Sequence, residues 1–130
     1  MTPRVDAWLR QARNDLAFAR HALQGGFHAQ SCYSSEQAAE KALKGILIGL
    51  DREPARTHSL ERLVEDLQAT GVNIEELSHL RLNVLSRMIT ATRYPSGDEA
   101  PSELFDAQDA RECLAMAEKV VAFAHNLAAE

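Results

Sequence analysis

Apolar residues recur at three- and four-residue steps through most of the chain, the spacing of a helix that buries one face. Val5, Trp8, Leu9, Ala12, Leu16, Ala19 and Leu23 form the first such line. Thr2 is placed to cap it with Pro3 at the first helical position, and Gly25-Gly26 stops it. In "FHAQSCYSSEQAAEKALKGILIGL" the period resumes with Ala39, Leu43, Ile46 and Leu50. Ala38 and Ala42 run beside them, and their small side chains permit close approach of another helix. Glu36, Glu40 and Lys44 follow at i, i+4 spacing, with Glu N-terminal to Lys, and predict a polar face on this second helix.

"DREPARTHS" breaks the period. Pro54 lacks a backbone donor and disfavours a helical Glu53, so a loop is expected. Ser59 is placed to cap a short third helix carrying Leu60, Leu63, Val64 and Leu67, and Gly71 stands where a left-handed terminator belongs. Asn73 and Glu76 suggest a capping box for a fourth helix with Leu77, Leu80, Val84, Leu85 and Met88 turned inward. "ITATRYPSGDEAP" ends that helix. Asp106 or Ser102 caps the last, along which Ala110, Cys113, Leu114, Ala117, Val120, Val121, Ala124 and Leu127 keep helical spacing. No stretch has comparable strand character. The pattern predicts an all-α fold, an antiparallel bundle of four main helices plus a shorter one, in a single domain over residues 1–130.

Composition narrows the function. A net charge of −5 excludes broad binding to DNA backbones, which needs a surplus of Lys and Arg to displace counterions, so any nucleic-acid contact is local. Cys32 and Cys113 are far apart, with no CxxC pair, which fits a reducing cytoplasm. No apolar run reaches the length of a membrane span, and no signal-peptide core precedes the first helix. A cytoplasmic protein is expected. No Gly-rich phosphate loop, nucleophile elbow or dinucleotide fingerprint occurs, and no cofactor is expected. His28, Cys32 and Glu36 share a helical spacing that suits metal ligands, but no further ligand stands at a partner spacing, so no metal site is assigned.

Several separated pieces together resemble the prokaryotic HEPN domain proteins: "AWLRQARNDLAFARHAL", "GGFHAQSCYSSEQAAEKALKGILI", "THSLERLVEDL" and "ATRYP", in that order before a final amphipathic helix. The most specific are "QAAEKALK", Gln37 to Lys44, and the combination of Thr57-His58 with Arg93-Tyr94-Pro95. The resemblance implies a small helical bundle that forms a homodimer and pairs with a minimal nucleotidyltransferase in a toxin–antitoxin arrangement. It also implies a nucleotide or RNA ligand and, in one branch of the family, metal-independent ribonuclease activity.

That branch carries an Arg followed after four to six residues by a His. Cleavage without a metal needs a base, an acid and a cation for the developing phosphorane. Arg93 has no such His, since the next one downstream is His125. Arg52 and His58 satisfy the spacing, but in the loop before the third helix. The catalytic candidates are therefore Arg93, His58 and Arg52, and an enzyme is the second reading, with a non-catalytic dimerisation scaffold a third.

As a binding site the same residues read differently. Arg93 offers a planar fork for phosphate, Tyr94 a ring for a base, and Pro95 a fixed backbone. His58 near a helix N-terminus adds a second phosphate contact, with Lys41 and Lys44 contributing positive charge. The structural alternatives are that Arg93 pairs with Glu40, Tyr94 fills the bundle end, and His58 satisfies a helix terminus.

Overall fold

The computed structural model describes all 130 residues. Helix α1 spans Pro3–Gln24, α2 His28–Gly49, α3 Leu60–Ala69, α4 Leu82–Ser86, α5 Met88–Ala91, α6 Pro101–Leu104 and α7 Ala107–Ala128, with one 3-10 turn at Glu75–Leu77. No helix is long and apolar enough to cross a membrane.

The ends of the long helices follow from local chemistry. Thr2 Oγ1 accepts from the Val5 N–H, and Pro3 occupies the first turn, where its missing donor costs nothing. At the other end Phe27 N–H donates to Ala22 O and Gly26 N–H to Leu23 O, closing the helix with Gly26 at φ 83°. The same closure ends α2: Arg52 N–H donates to Leu47 O and Asp51 N–H to Ile48 O. Here Asp51 takes the left-handed conformation, at φ 59°. Ser59 caps α3 through the Arg62 N–H. Asp106 and Asp109 cap each other's backbone at the start of α7.

Helix α1 runs antiparallel to both α2 and α7. Ser31 Oγ on α2 donates to Ala19 O on α1 at 2.8 Å, and Lys41 on α2 reaches Asp15 on α1. Gly45 lies so near Trp8 that an added Cβ would sit 2.8 Å from the Trp8 Cβ. Along the other seam Arg20 pairs with Glu118 and Arg13 with His125. Helices α2 and α7 therefore run alongside each other in one direction, with Cys32 against Cys113. The Cys113 hydrogen bond and burial push the Cys32 thiol far above its ordinary range, so it packs as a small apolar group.

Leu43, Ile46 and Leu47 of α2 are completely enclosed, as are Leu60, Leu63 and Leu67 of α3 and Leu85 of α4. Each such side chain contributes about 1.5–3 kcal/mol by leaving water. Helix α2 is the hub: α1 and α7 cover one side, while α3, α4, α5 and α6 cover the other.

The stretch expected to form one fourth helix divides. Asn73 Oδ1 accepts from Glu75 N–H and starts only the 3-10 turn. The chain becomes helical again at Leu82 and continues to Ala91, with a distortion at Arg87, whose own backbone stays helical. Ser86, just before the distortion, accepts from Leu60 N–H and donates to Glu61, so α4 is tied to the start of α3. These are tertiary bonds, which no local periodicity encodes.

The polar face expected on α2 is overturned. Glu36 is 0% exposed and Glu40 7%, because the side of α2 that carries them lies beneath the second layer of short helices. The small residues Ser31, Ser34, Ser35, Ala38, Ala39 and Ala42 form one broad buried face of α2, and Cys32, Glu36, Glu40, Leu43 and Leu47 carry the burial on round the helix. A helix buried over so much of its circumference is enclosed by neighbours, whatever its charge spacing suggests.

Candidate functional site

Arg93 follows α5, with its N–H on Thr90 O and its side chain turned back so that Nε donates to Ile89 O at 2.6 Å. The guanidinium lies 5.4 Å from the centroid of the Tyr33 ring on α2 and 5.3 Å from that of Tyr94. Both rings attract a cation through their negative faces. Arg93 is exposed and enters none of the chain's ion pairs. With Nε committed to a carbonyl, the two terminal nitrogens remain as a planar fork open to solvent. Tyr94 is 59% exposed, so it does not fill the bundle end. Pro95 leads into a tight turn in which Ser96 and Glu99 exchange backbone hydrogen bonds.

Two turns along α2 from Tyr33, about 10 Å at 1.5 Å per residue, Glu40 organises the second half of the site. Its carboxylate accepts from Lys44 Nζ at 3.1 Å and from His58 Nδ1 at 2.9 Å. His58 therefore answers to α2 rather than to the terminus of α3. Arg93 does not reach Glu40, whose two oxygens are taken.

Glu36 lies one turn from Glu40. Gln37 Nε2 donates to its Oε1 at 2.8 Å, while Oε2 is buried with no partner. Burial first, and then the negative charge of Glu40, push its carboxyl up to about 8. It is a neutral acid at pH 7.

Between the start of α3 and α4–α5 runs an open groove of about 630 Å³. His58 and Ser59 form one wall, and Asn83, Arg87, Ile89 and Thr90 the other. Ile89, whose carbonyl holds Arg93, is part of the wall opposite His58, while Arg93 itself lies outside the groove's lining. On its floor Ser86 Oγ donates to Glu61. Although burial opposes it, the net effect of the bonds from Ser86, the backbone and Ser59, with the nearby Arg87 charge, is to hold Glu61 below the ordinary carboxylate range.

The other sequence candidates lie elsewhere. Lys41 turns to α1 and is taken by Asp15 at 2.5 Å. Lys44 is bound to Glu40. Arg52 lines a separate hollow of about 430 Å³ with Leu47, Pro54, Arg62 and Asp66, away from the groove that holds His58. Sequence reasoning missed Tyr33, Glu36 and Glu40. The signal for Tyr33 was its place on the helical line that continues through Gln37, Glu40 and Lys44.

The family model of the HEPN domain matches residues 5–127, and the chain belongs to this family. It is similar to the crystal structure of TT1696 from Thermus thermophilus, at 33% identity and a TM-score of 0.86, covering 96% of this chain and 98% of that one. ST0689, an archaeal HEPN homologue, is 31% identical with a TM-score of 0.77, covering 97% and 98%. An HEPN domain protein of Thermotoga maritima, tm0613, is 28% identical with a TM-score of 0.72, covering 95% and 98%. No curated protein matches the chain.

Proposed function

We propose that this HEPN domain is a nucleotide- or RNA-binding module, acting as a cytoplasmic homodimer beside a minimal nucleotidyltransferase in a toxin–antitoxin-type pair. The observation that carries the ligand class is Arg93: an exposed guanidinium without a carboxylate, aimed by one carbonyl and two aromatic rings. A fork of that kind accepts a phosphate in bidentate fashion, and the exposed Tyr94 ring beside it stacks on a base. His58, across the groove from Ile89, supplies a second contact once a ligand is present. The exposed apolar side chains of Phe18, Phe27 and Leu104 offer surface for the dimer and the protein partner.

Catalysis has less support. Arg52 and His58, which have the ribonuclease spacing, line different hollows, and His58 Nδ1 is engaged by Glu40.

Titration with labelled mononucleotides in EDTA tests the binding reading. Saturable binding that weakens at least about tenfold in Arg93→Ala, a loss of about 1.4 kcal/mol, is the expected result. Absence of binding by the wild type, or equal binding by both proteins, contradicts it. Co-expression with a nucleotidyltransferase from the adjoining reading frame, followed by co-purification, tests the partnership.

A further inference from the structure

The groove between the start of α3 and α4–α5 holds a carboxylate as well as cations. Its ionisable residues are His58, Glu61 and Arg87. Glu61 is exposed but held in place from one side: Ser86 Oγ donates to its Oε1 at 2.5 Å, and Ser59 Oγ to the same atom at 3.4 Å. No side chain donates to Oε2, and Glu61 enters none of the chain's ion pairs. It stands in the groove as a positioned, ionised acceptor with one oxygen open.

Arg87 is near enough to offset that charge without closing on it. Its Nε donates to Asn83 O, four residues back, at 3.3 Å, just as Arg93 Nε donates to Ile89 O. The first amides of α3 are taken as well, Leu60 N–H by Ser86 and Arg62 N–H by Ser59. The helix start therefore offers no cradle for a phosphate, and a bare anion gains nothing from Oε2. A ligand that brings hydroxyl donors gains a charge-assisted hydrogen bond there.

We infer that Glu61 selects ribonucleotides over deoxyribonucleotides, its Oε2 accepting from the ribose 2′-hydroxyl, an inference that rests on the nucleotide reading of Arg93 and Tyr94. A carboxylate beside a phosphate contact holds ribose hydroxyls in the same way in dinucleotide-binding folds. The groove begins at Ile89, whose carbonyl holds Arg93, so a nucleotide seated on that fork turns its sugar toward Glu61. Arg87 offsets the repulsion between this carboxylate and the ligand's phosphate. Arg93 and Tyr94 take phosphate and base, and Glu61 reads the sugar.

Titration in EDTA with the four ribonucleoside 5′-monophosphates and their 2′-deoxy counterparts tests this. Wild type should prefer the ribose form roughly tenfold, the scale of one hydrogen bond to a charged group. Glu61→Gln keeps an oxygen for Ser86 and places an amide donor where Oε2 stood. It should bring the two sugars to within about threefold of each other by weakening the ribonucleotides alone. Glu61→Asp keeps the charge but withdraws the carboxylate by one carbon, and should lose the preference too, so it carries the test if Glu61→Gln melts early. A residue that only braces Ser86 would weaken both sugars alike and leave their ratio unchanged, which overturns the inference. Wild-type binding indifferent to the sugar overturns it and leaves the nucleotide reading standing, whereas no nucleotide binding at all sinks both. Loss of a guanine preference in Glu61→Gln, with the sugar preference kept, would make Glu61 a base reader and overturn it as well.

Discussion

The guanidinium of Arg93 rests 5.4 Å from the ring centre of Tyr33, a residue near the start of α2 and remote in sequence. That contact fixes where the cation stands. Tyr33→Phe, which keeps the ring, should leave nucleotide affinity within about twofold. Tyr33→Leu should weaken it roughly three- to thirtyfold, the range for losing a cation–π contact of about 0.5–2 kcal/mol. Isothermal titration of the two variants decides the matter.

Glu36 makes the fold pH-dependent. Its carboxyl titrates at about 8 in the folded protein against an ordinary 4.5. Below the lower value both folded and unfolded chains hold the proton; between the two values only the folded chain does. Stability contributed by this group therefore falls as pH rises from the ordinary value toward 8, and levels off above. Glu36→Gln, which is neutral throughout, should raise the melting temperature at pH 8 and change it little at pH 4.5. The gain at pH 8 should be on the order of a few kcal/mol, at about 1.4 kcal/mol per unit of displacement. Equal shifts at both pH values would contradict the burial argument.

Glu40 and His58 share one hydrogen bond but not one importance. Glu40 is 7% exposed and also compensates Lys44, which is largely buried, whereas the His58 side chain is 62% exposed. Glu40→Ala should cost about 2–4 kcal/mol by leaving the ammonium uncompensated. His58→Ala should cost under about 1 kcal/mol, as an exposed pair does. Urea melts of the two variants should separate clearly.

Gly45 is fixed by the approach of α1. Alanine is ordinarily the better helix former by about 1 kcal/mol, but its Cβ would meet the Trp8 Cβ at 2.8 Å. Gly45→Ala should therefore destabilise by about 1–3 kcal/mol despite its propensity. At Gly49 an added Cβ meets chiefly the flexible end of Met1, and Gly49→Ala should be milder. Thermal melts check both.

The three long helices and α3 were legible because their signals are local. Thr2, Ser59 and Asp106 hold caps whose bonds close within three residues, and Gly26 and Gly71 adopt the conformation that glycine favours. The division of the fourth helix was not legible, since Ser86 is tied to Leu60 and Glu61, far away in sequence. The candidate site was half legible. Arg93 and Tyr94 stood out as a cation and a ring before a proline, and His58 as the head of a helix. Of their mounts, Tyr33 carried no signal beyond its place on a helical line, and Glu40 looked like a solvated charge. Only the second layer of helices over α2 makes them otherwise.

The most direct measurement is of Arg93 itself. In a spectrum of the arginine Nε–H groups, titration with a mononucleotide should shift the Arg93 signal saturably, and Tyr33→Leu should weaken that response. An Arg93 signal that stays in place while the nucleotide shifts other residues, or while nothing shifts, would contradict the account.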